Sequence, residues 1–337
     1  MINDILKFQH RVDQRSNALA QDMIKTLNAS RETIIGKLAS IQDRYLKGDY
    51  TTEAYKAKKA FLEHQRAEIE KVIGEVFEDV KAHIQDASMD VFMATQDHTT
   101  KLMNKATGLD VTFFHLDDKV VTAWFETGLV EGTTLTEWLS NLESNTVNRI
   151  LQAQRSALIE GDSLSGMIKK LREEGIQGSY NGLKGLARTS MLSAANYARE
   201  QTIAQAFRDV IDGWQFLSTL DNRTCMECGS LDGKVFGVNE PKPPAPLHWN
   251  CRCCYVPVLK SIEGMPEPSE KRPAVTDEET GTFMGSYNQW LKSQLETDPG
   301  FVRDVLGPGR FDLFKAGKIS LSSMVTNGKI VKLSDLG

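Results

Sequence analysis

Long apolar runs are missing from this 337-residue chain. None approaches the roughly 18 residues a membrane-crossing helix needs, so no membrane partner is expected. The opening stretch MINDILKFQHRVDQ lacks the apolar core of a secretory signal, which argues against the compartments where disulfide frameworks persist. An excess of basic charge is missing too. The formal net charge is −5, and residues 1–110 hold 16 basic and 17 acidic side chains. A protein that coats nucleic acid is normally basic, so any DNA contact has to come from a local patch. Catalytic motifs are equally scarce. There is no Walker A loop, no Gly-x-Gly-x-x-Gly and no His-Glu-x-x-His, and GDSLSG misplaces its glycines for a nucleophile elbow. No His-x-Glu precedes the cysteines, as a zinc deaminase requires. The paired carboxylates Asp117-Asp118 and Glu173-Glu174 read as solvated. The chain is expected not to be an enzyme.

Cysteine is rare and confined to one place. All five, at positions 225, 228, 251, 253 and 254, lie between Thr219 and Leu259, together with His248, one of six histidines. Cysteines used as small core hydrophobes would be scattered over many segments. The spacing Cys225-x2-Cys228-x19-His248-x2-Cys251 instead offers two short pairs on separate arms, able to close a tetrahedron of sulfur and imidazole around Zn2+. Four protein ligands leave no open position, so the zinc would be structural. Cys225 and Cys228 form one half of the site. His248, Cys251 and Cys253 compete for the other two positions. His248 with Cys251 is preferred, because x2 spacing lets both side chains of a turn reach one metal, and Cys253 is the alternative ligand. Cys254 opens the apolar run CYVPVL and reads as a strand residue.

Around this stretch the pattern is mainly α. Residues 3 to 46 read as one helix, with Ile5, Val12, Leu19, Met23, Leu27, Ile34, Leu38, Ile41 and Tyr45 on one face. Gly48-Asp49 breaks it. A second helix capped by Thr51 or Thr52, with Leu62, Ile69, Ile73, Val76, Val80 and Ile84 on one face, runs to about residue 105. The two should pack as a long antiparallel hairpin over 1–108. A helical body over 109–212 includes the capping box Thr134-x-x-Glu137, a short helix starting at Asp162 or Ser163 and ended by Gly175 and Gly178, and a third long helix over 182–212. Residues 213–262 form a small zinc-stapled β module: a strand at 214–221, a turn at Asp232-Gly233 with a hairpin, an extended connector with prolines at 241, 243, 244 and 246, and YVPVL beside the first strand. A Pro-rich polar linker follows at 263–280. A short helical C-terminal extension, 281–337, holds pieces at 287–295, 301–306, 311–316 and 319–325.

DNRTCMECGSLDGKVF followed by PPAPLHWNCRCCYVPV resembles the signature of the Mu F-like head morphogenesis proteins, minor capsid proteins of tailed phages. Asp221, Arg223, Cys225, Cys228, Leu231, Asp232, Gly233, His248, Asn250, Cys251, Arg252 and Cys253 fit that signature one by one. Trp249, where proline is usual, and the extra Cys254 depart from it. The family's Asn-x-x-Arg element is matched by Asn196, read as a buried polar anchor, and Arg199, read as a solvated charge. WLKSQL and VLGPGRFDLF resemble the family's tail, so the likeness extends over about residues 110–337. It implies a structural protein of the virion, attached to the portal inside the head and acting in head assembly and DNA packaging or ejection. During assembly it would reside in the host cytoplasm. The portal protein is the implied partner, with the major capsid or scaffold protein beside it and at most a weak contact with DNA. Some relatives carry a toxin domain after the module; the tail here has no catalytic motif of that kind. The alternative is a zinc-stapled His-Asn-His-type nuclease, since His248-Trp-Asn250 fits its HxN element. That chemistry needs a histidine base beside separate cation ligands, and the single histidine nearby already serves zinc.

Overall fold

A computed structural model of the chain describes residues 1–45, 52–112, 118–260, 271–275, 280–326 and 328–336. The Gly48-Asp49 break, Thr51 and most of the 263–280 stretch lie outside them, as do the side chains of Ile41, Tyr45 and Leu62. The protein is mainly α. In chain order it has α1 (Ile2–Ala29), α2 (Arg31–Tyr45), α3 (Thr52–Thr107), α4 (Asp118–Thr127), β1 (Leu129–Val130), β2 (Thr133–Thr134), α5 (Leu135–Ile159), α6 (Leu164–Lys170) and α7 (Tyr180–Ala206). Then follow β3 (Ile211–Leu217), α8 (Met226–Leu231), β4 (Val235–Gly237), β5 (Cys254–Leu259), β6 (Arg272–Val275) and β7 (Thr280–Phe283). The C-terminal region adds α9 (Tyr287–Thr297), α10 (Pro299–Leu306), α11 (Pro308–Lys315), β8 (Val325–Thr326) and β9 (Lys329–Ile330).

Two compact units divide these elements: residues 1–13, 91–117 and 192–337 form one, and 14–90 with 118–191 form the other. The helical unit (14–90 and 118–191) is built on the expected periodicity. Leu19, Met23, Leu27, Ile34, Leu38, Ile69, Ile73, Val76, Val80 and Ile84 are all buried. The first helix is not continuous, however. It is interrupted at Ser30, and the Ile34 amide donates to the Ser30 carbonyl at 3.0 Å as α2 begins. Asn28 and Ser30 are residues whose side chains compete with helical backbone bonds, and Asn28 Oδ1 accepts a hydrogen bond from the Tyr180 hydroxyl at 2.6 Å. The Thr134–Glu137 capping box forms in both directions: the Thr134 amide donates to Glu137 Oε2 at 2.8 Å, and the Glu137 amide donates to Thr134 Oγ1 at 3.1 Å. Ser163 caps α6. Gly175 and Gly178 do not end that helix. The chain passes through a π segment (Leu171–Ile176) and a 3-10 turn (Gln177–Ser179) straight into α7. A Cβ on Gly175 would sit 3.2 Å from the Ile150 backbone, so glycine there serves close approach to α5.

The cysteine-bearing unit (1–13, 91–117 and 192–337) is centred on a three-stranded antiparallel sheet of order β4-β3-β5. YVPVL pairs beside the first strand as expected, with Trp214 opposite Pro257 and Leu217 opposite Cys254. β5 is an edge strand, so Pro257 forfeits no ladder bond. Gly213 is required by packing: a Cβ would meet the Phe236 carbonyl oxygen at 2.2 Å. After Asp232, Gly233 turns the chain at φ 82° and β4 returns against β3. β6 and β7 pair antiparallel. Beyond them α9, α10 and α11 pack around Trp290, Phe301 and Phe314. The stretch 319–325, expected to be helical, holds only a 3-10 turn at 321–323 before β8; its serines cap each other, with Ser320 Oγ accepting from the Ser323 amide at 3.4 Å.

Candidate metal centre

Two arms of the cysteine-bearing unit converge on one cluster. The first is the turn from β3 into α8. Cys225 stands at the N-cap of α8, and its sulfur accepts the Cys228 amide at 3.4 Å. One helical turn thus places both sulfurs on the same side. The second arm ends the proline-rich connector with the turn His248–Cys251. There the Cys251 amide donates to the His248 carbonyl at 3.2 Å, and Asn250 takes the left-handed backbone, φ 64°, a conformation asparagine tolerates better than most residues. The connector itself is tied down. Tyr255 donates to the Pro243 carbonyl at 2.8 Å, and Lys242 lies 4.2 Å from the Tyr255 ring centre while pairing with Glu200 at 2.6 Å.

The donors face one another. His248 Nε2 lies 3.1 Å from Cys225 Sγ and 3.3 Å from Cys228 Sγ, and Cys228 Sγ lies 3.7 Å from Cys251 Sγ. Cys225, Cys228 and His248 form one group that can hold a metal; Cys228, Cys251 and Cys253 form another, sharing Cys228. All five cysteines are free thiols. A Zn–S bond of about 2.3 Å in a tetrahedron separates two sulfurs by about 3.8 Å, so the Cys228–Cys251 spacing fits a shared ion. The imidazole is oriented for the task. His248 Nδ1 lies 2.9 Å from the Trp249 carbonyl, which can only accept, so Nδ1 carries a proton in either charge state and Nε2 is the atom turned to the sulfurs. Such an outer hydrogen bond is usual for a histidine ligand. The Cys253 amide donates to Cys251 Sγ at 3.4 Å, a further support for thiolate charge.

Titration reflects the crowding of acidic donors. Hydrogen bonding with Cys228, then His248, pulls the Cys225 thiol down to about 4. Contacts with Cys225 and Cys251 push Cys228 the other way, far above the thiol range. The contact with Cys225 raises His248 to about 10. Burial lifts Cys253 well above its ordinary value. Thiols this close cannot all ionise without a cation among them.

The remaining signature residues brace the arms. Arg252 Nη2 donates to Asp221 Oδ1 at 2.7 Å, and Nη1 reaches the other carboxylate oxygen. Asp221 also accepts the Arg223 amide at 3.1 Å, closing the turn ahead of Cys225. Burial works against the Asp221 charge, but the Arg252 contacts outweigh it and hold the carboxyl below its usual range. Asn196 is the expected buried anchor, donating to the Cys253 carbonyl at 3.1 Å and the Leu192 carbonyl at 3.0 Å. Arg199 is not a solvated charge. It is buried, donating to Asn196 Oδ1 at 3.0 Å, Gln9 Oε1 at 3.2 Å and the Tyr255 carbonyl at 3.4 Å. Its position three residues after Asn196 on α7 puts both on the face that meets β5. Cys254 lies in β5, fully buried beside Ile5, Leu217 and Val256.

One tie escaped sequence reasoning. Asp232, read as a turn and signature residue, is buried and accepts from Arg272 Nη1 at 2.9 Å, the Ser218 amide at 2.6 Å and the Tyr287 amide at 2.6 Å. Arg272 donates in addition to the Gly285 and Ser218 carbonyls. An isolated arginine in a polar stretch gives no pattern by which to find this.

Residues 148–256, which run into the cysteine arms and through β5 to Val256, match the family model described as Phage Mu protein F like protein. Over this stretch the chain is similar to that family. The matched span holds every candidate ligand as well as Asn196 and Arg199, and is narrower than the 110–337 expected from resemblance. No curated protein and no solved structure matches the chain. Among the described residues, no helix is long and apolar enough to cross a membrane.

Proposed function

We propose that the protein is a minor structural component of a tailed-phage head, attached to the portal inside the capsid and acting in head assembly and DNA packaging or delivery. It is made in the host cytoplasm and ends in the virion. The portal protein is its principal partner, with the major capsid or scaffold protein beside it and at most a weak hold on DNA. The observation that carries this reading is the Mu F-like match over residues 148–256, which spans both cysteine arms.

Within that role, one zinc ion bound by Cys225, Cys228, His248 and Cys251, with Cys253 as the alternative ligand, staples the module at 213–262. The soft donor set, the 3.7 Å sulfur spacing and the imidazole aimed from its Nδ1 bond support zinc over a hard cation. Zinc would neutralise the thiolates and hold the two arms at fixed separation. The chain's own contribution is to present the donors and brace them through Arg252–Asp221 and Asn196. Short β modules commonly need such a staple. The module then carries the C-terminal extension on a rigid base.

The nuclease reading requires a histidine free to act as base. His248 Nε2 faces two sulfurs, and no second histidine joins the cluster among the described residues. Affinity purification of the tagged protein from infected cells should recover the portal protein, and purified heads should contain the chain. Its repeated absence from heads would overturn the reading. DNA cleavage that survives clean purification and disappears in His248→Ala would transfer the assignment to the nuclease.

A further inference from the structure

The cysteine-bearing unit holds a pocket of about 700 Å³ beside the Asp221 turn, lined by none of the candidate ligands, within the 300–1,000 Å³ range of binding pockets. Its wall is apolar where Leu6, Leu192, Leu217, Leu220 and Val275 line it. Its charges are lopsided: five cations, Lys7, Arg11, Arg223, Arg252 and Arg272, stand against two carboxylates, Asp13 and Asp221. Two of the cations are already answered, Arg252 by Asp221 and Arg272 by the buried Asp232. Lys7 and Arg11, one turn apart on α1, form no ion pair among the described residues; Arg11 only lies 5.4 Å from the Phe8 ring centre. Val275, at the pocket's edge, is 40% exposed.

We infer that this pocket receives a segment of a partner protein in which apolar side chains alternate with carboxylates. The apolar wall takes up the hydrophobic side chains, and Lys7 and Arg11 meet the flanking acids. Nucleic acid fits less well, because no Phe, Tyr or Trp lines the pocket for base stacking and His10 is its single ring, and the apolar wall would gain nothing from phosphate. The inference concerns purified protein and stands apart from whether the chain enters phage heads or binds zinc.

Fluorescence anisotropy on the full chain tests it. The probes are a labelled short peptide of alternating leucine and glutamate, its leucine–lysine counterpart and a labelled DNA duplex, all at physiological salt. The leucine–glutamate peptide should bind and the leucine–lysine peptide should not. The double variant Lys7→Glu/Arg11→Glu, on an exposed helix face, should weaken binding about tenfold or more, and Val275→Glu should weaken it separately. Far-UV circular dichroism must match the parent for both variants. Equal binding of the two peptides, no binding, unchanged binding in both variants, tighter binding of the duplex, or full displacement by free octanoate would each overturn the assignment.

Discussion

The helical unit and the cysteine-bearing unit are held together in different ways. In the first, Ile34, Leu38, Ile69, Ile73, Val80 and Ile84 recur at helical spacing and almost vanish from solvent. Stability there is spread over many equivalent apolar contacts. In the second, separate apolar clusters surround Trp214, Trp290 and Ile5. Specific polar ties supplement them: the sulfur cluster, the Asp232–Arg272 pair and the Asn196–Arg199 bonds to β5. A periodic core degrades gradually when one side chain is trimmed. A structure held by point ties fails at a tie.

The largest effect belongs to the proposed zinc site. Cys225→Ser with Cys228→Ser should reduce zinc from about one per chain to near none by elemental analysis. Structural zinc in small modules contributes on the order of 10–16 kcal/mol, far more than the other ties. The near-ultraviolet signal of Trp214, buried in the sheet, should collapse. Most far-ultraviolet helicity should persist, because α2, α5 and most of α3 belong to the helical unit. A variant that keeps its tertiary signal without metal would mean that the apolar cluster, rather than the staple, holds this unit.

Next comes the buried ion pair. Arg272→Met leaves the Asp232 carboxylate buried without its cation, and breaking such a pair costs roughly 3–5 kcal/mol. The urea midpoint of the cysteine-bearing unit should fall accordingly. Adding Asp232→Asn should restore much of the loss, since it removes the stranded charge. If the double variant is no better than the single one, the Ser218 and Tyr287 amides alone neutralise Asp232. Asp221→Asn should be milder, roughly 1.5–3 kcal/mol for hydrogen bonds to a charged group. Its folded-state pKa lies below the ordinary 3.8, so the contribution is complete above that value and disappears as pH falls through the lower, folded one. The difference in thermal midpoint between parent and variant should therefore close on acidification from pH 7.

What could be read in advance follows the same divide. The long helices of the helical unit were visible because period 3.6 repeats over many residues; the one-residue interruption at Ser30 and the π passage at Leu171–Ile176 are local events that periodicity does not register, and the short α4 and the β1-β2 pair carry no such repeat. The gathering of the cysteines and His248 was visible because cysteine is so rare that spacing alone carries meaning, and the strand at Cys254 followed from its apolar run. Arg199 and Arg272 were not. A buried arginine looks like a surface one in sequence, since its burial depends on acceptors 56 residues away for Tyr255 and 40 residues away for Asp232. The competition between Cys251 and Cys253 also stays outside spacing arguments, for both sulfurs gather at Cys228.

The smallest effect tests the helical side of the contrast. Ile73 and Ile84 are both fully buried in α3. Each Ile→Val change deletes one methyl from a close-packed site and should cost roughly 0.5–1.5 kcal/mol. The two positions are eleven residues apart, about 16 Å along a helix axis, with intervening side chains between them. Their losses should add to within about 0.5 kcal/mol in denaturant unfolding. Asp232→Asn and Arg272→Met, whose side chains pair with each other, should depart from additivity by more than that. Strong coupling between Ile73 and Ile84 would show that the helical unit also depends on one concentrated site, and the distinction between a distributed and a tied core would no longer hold.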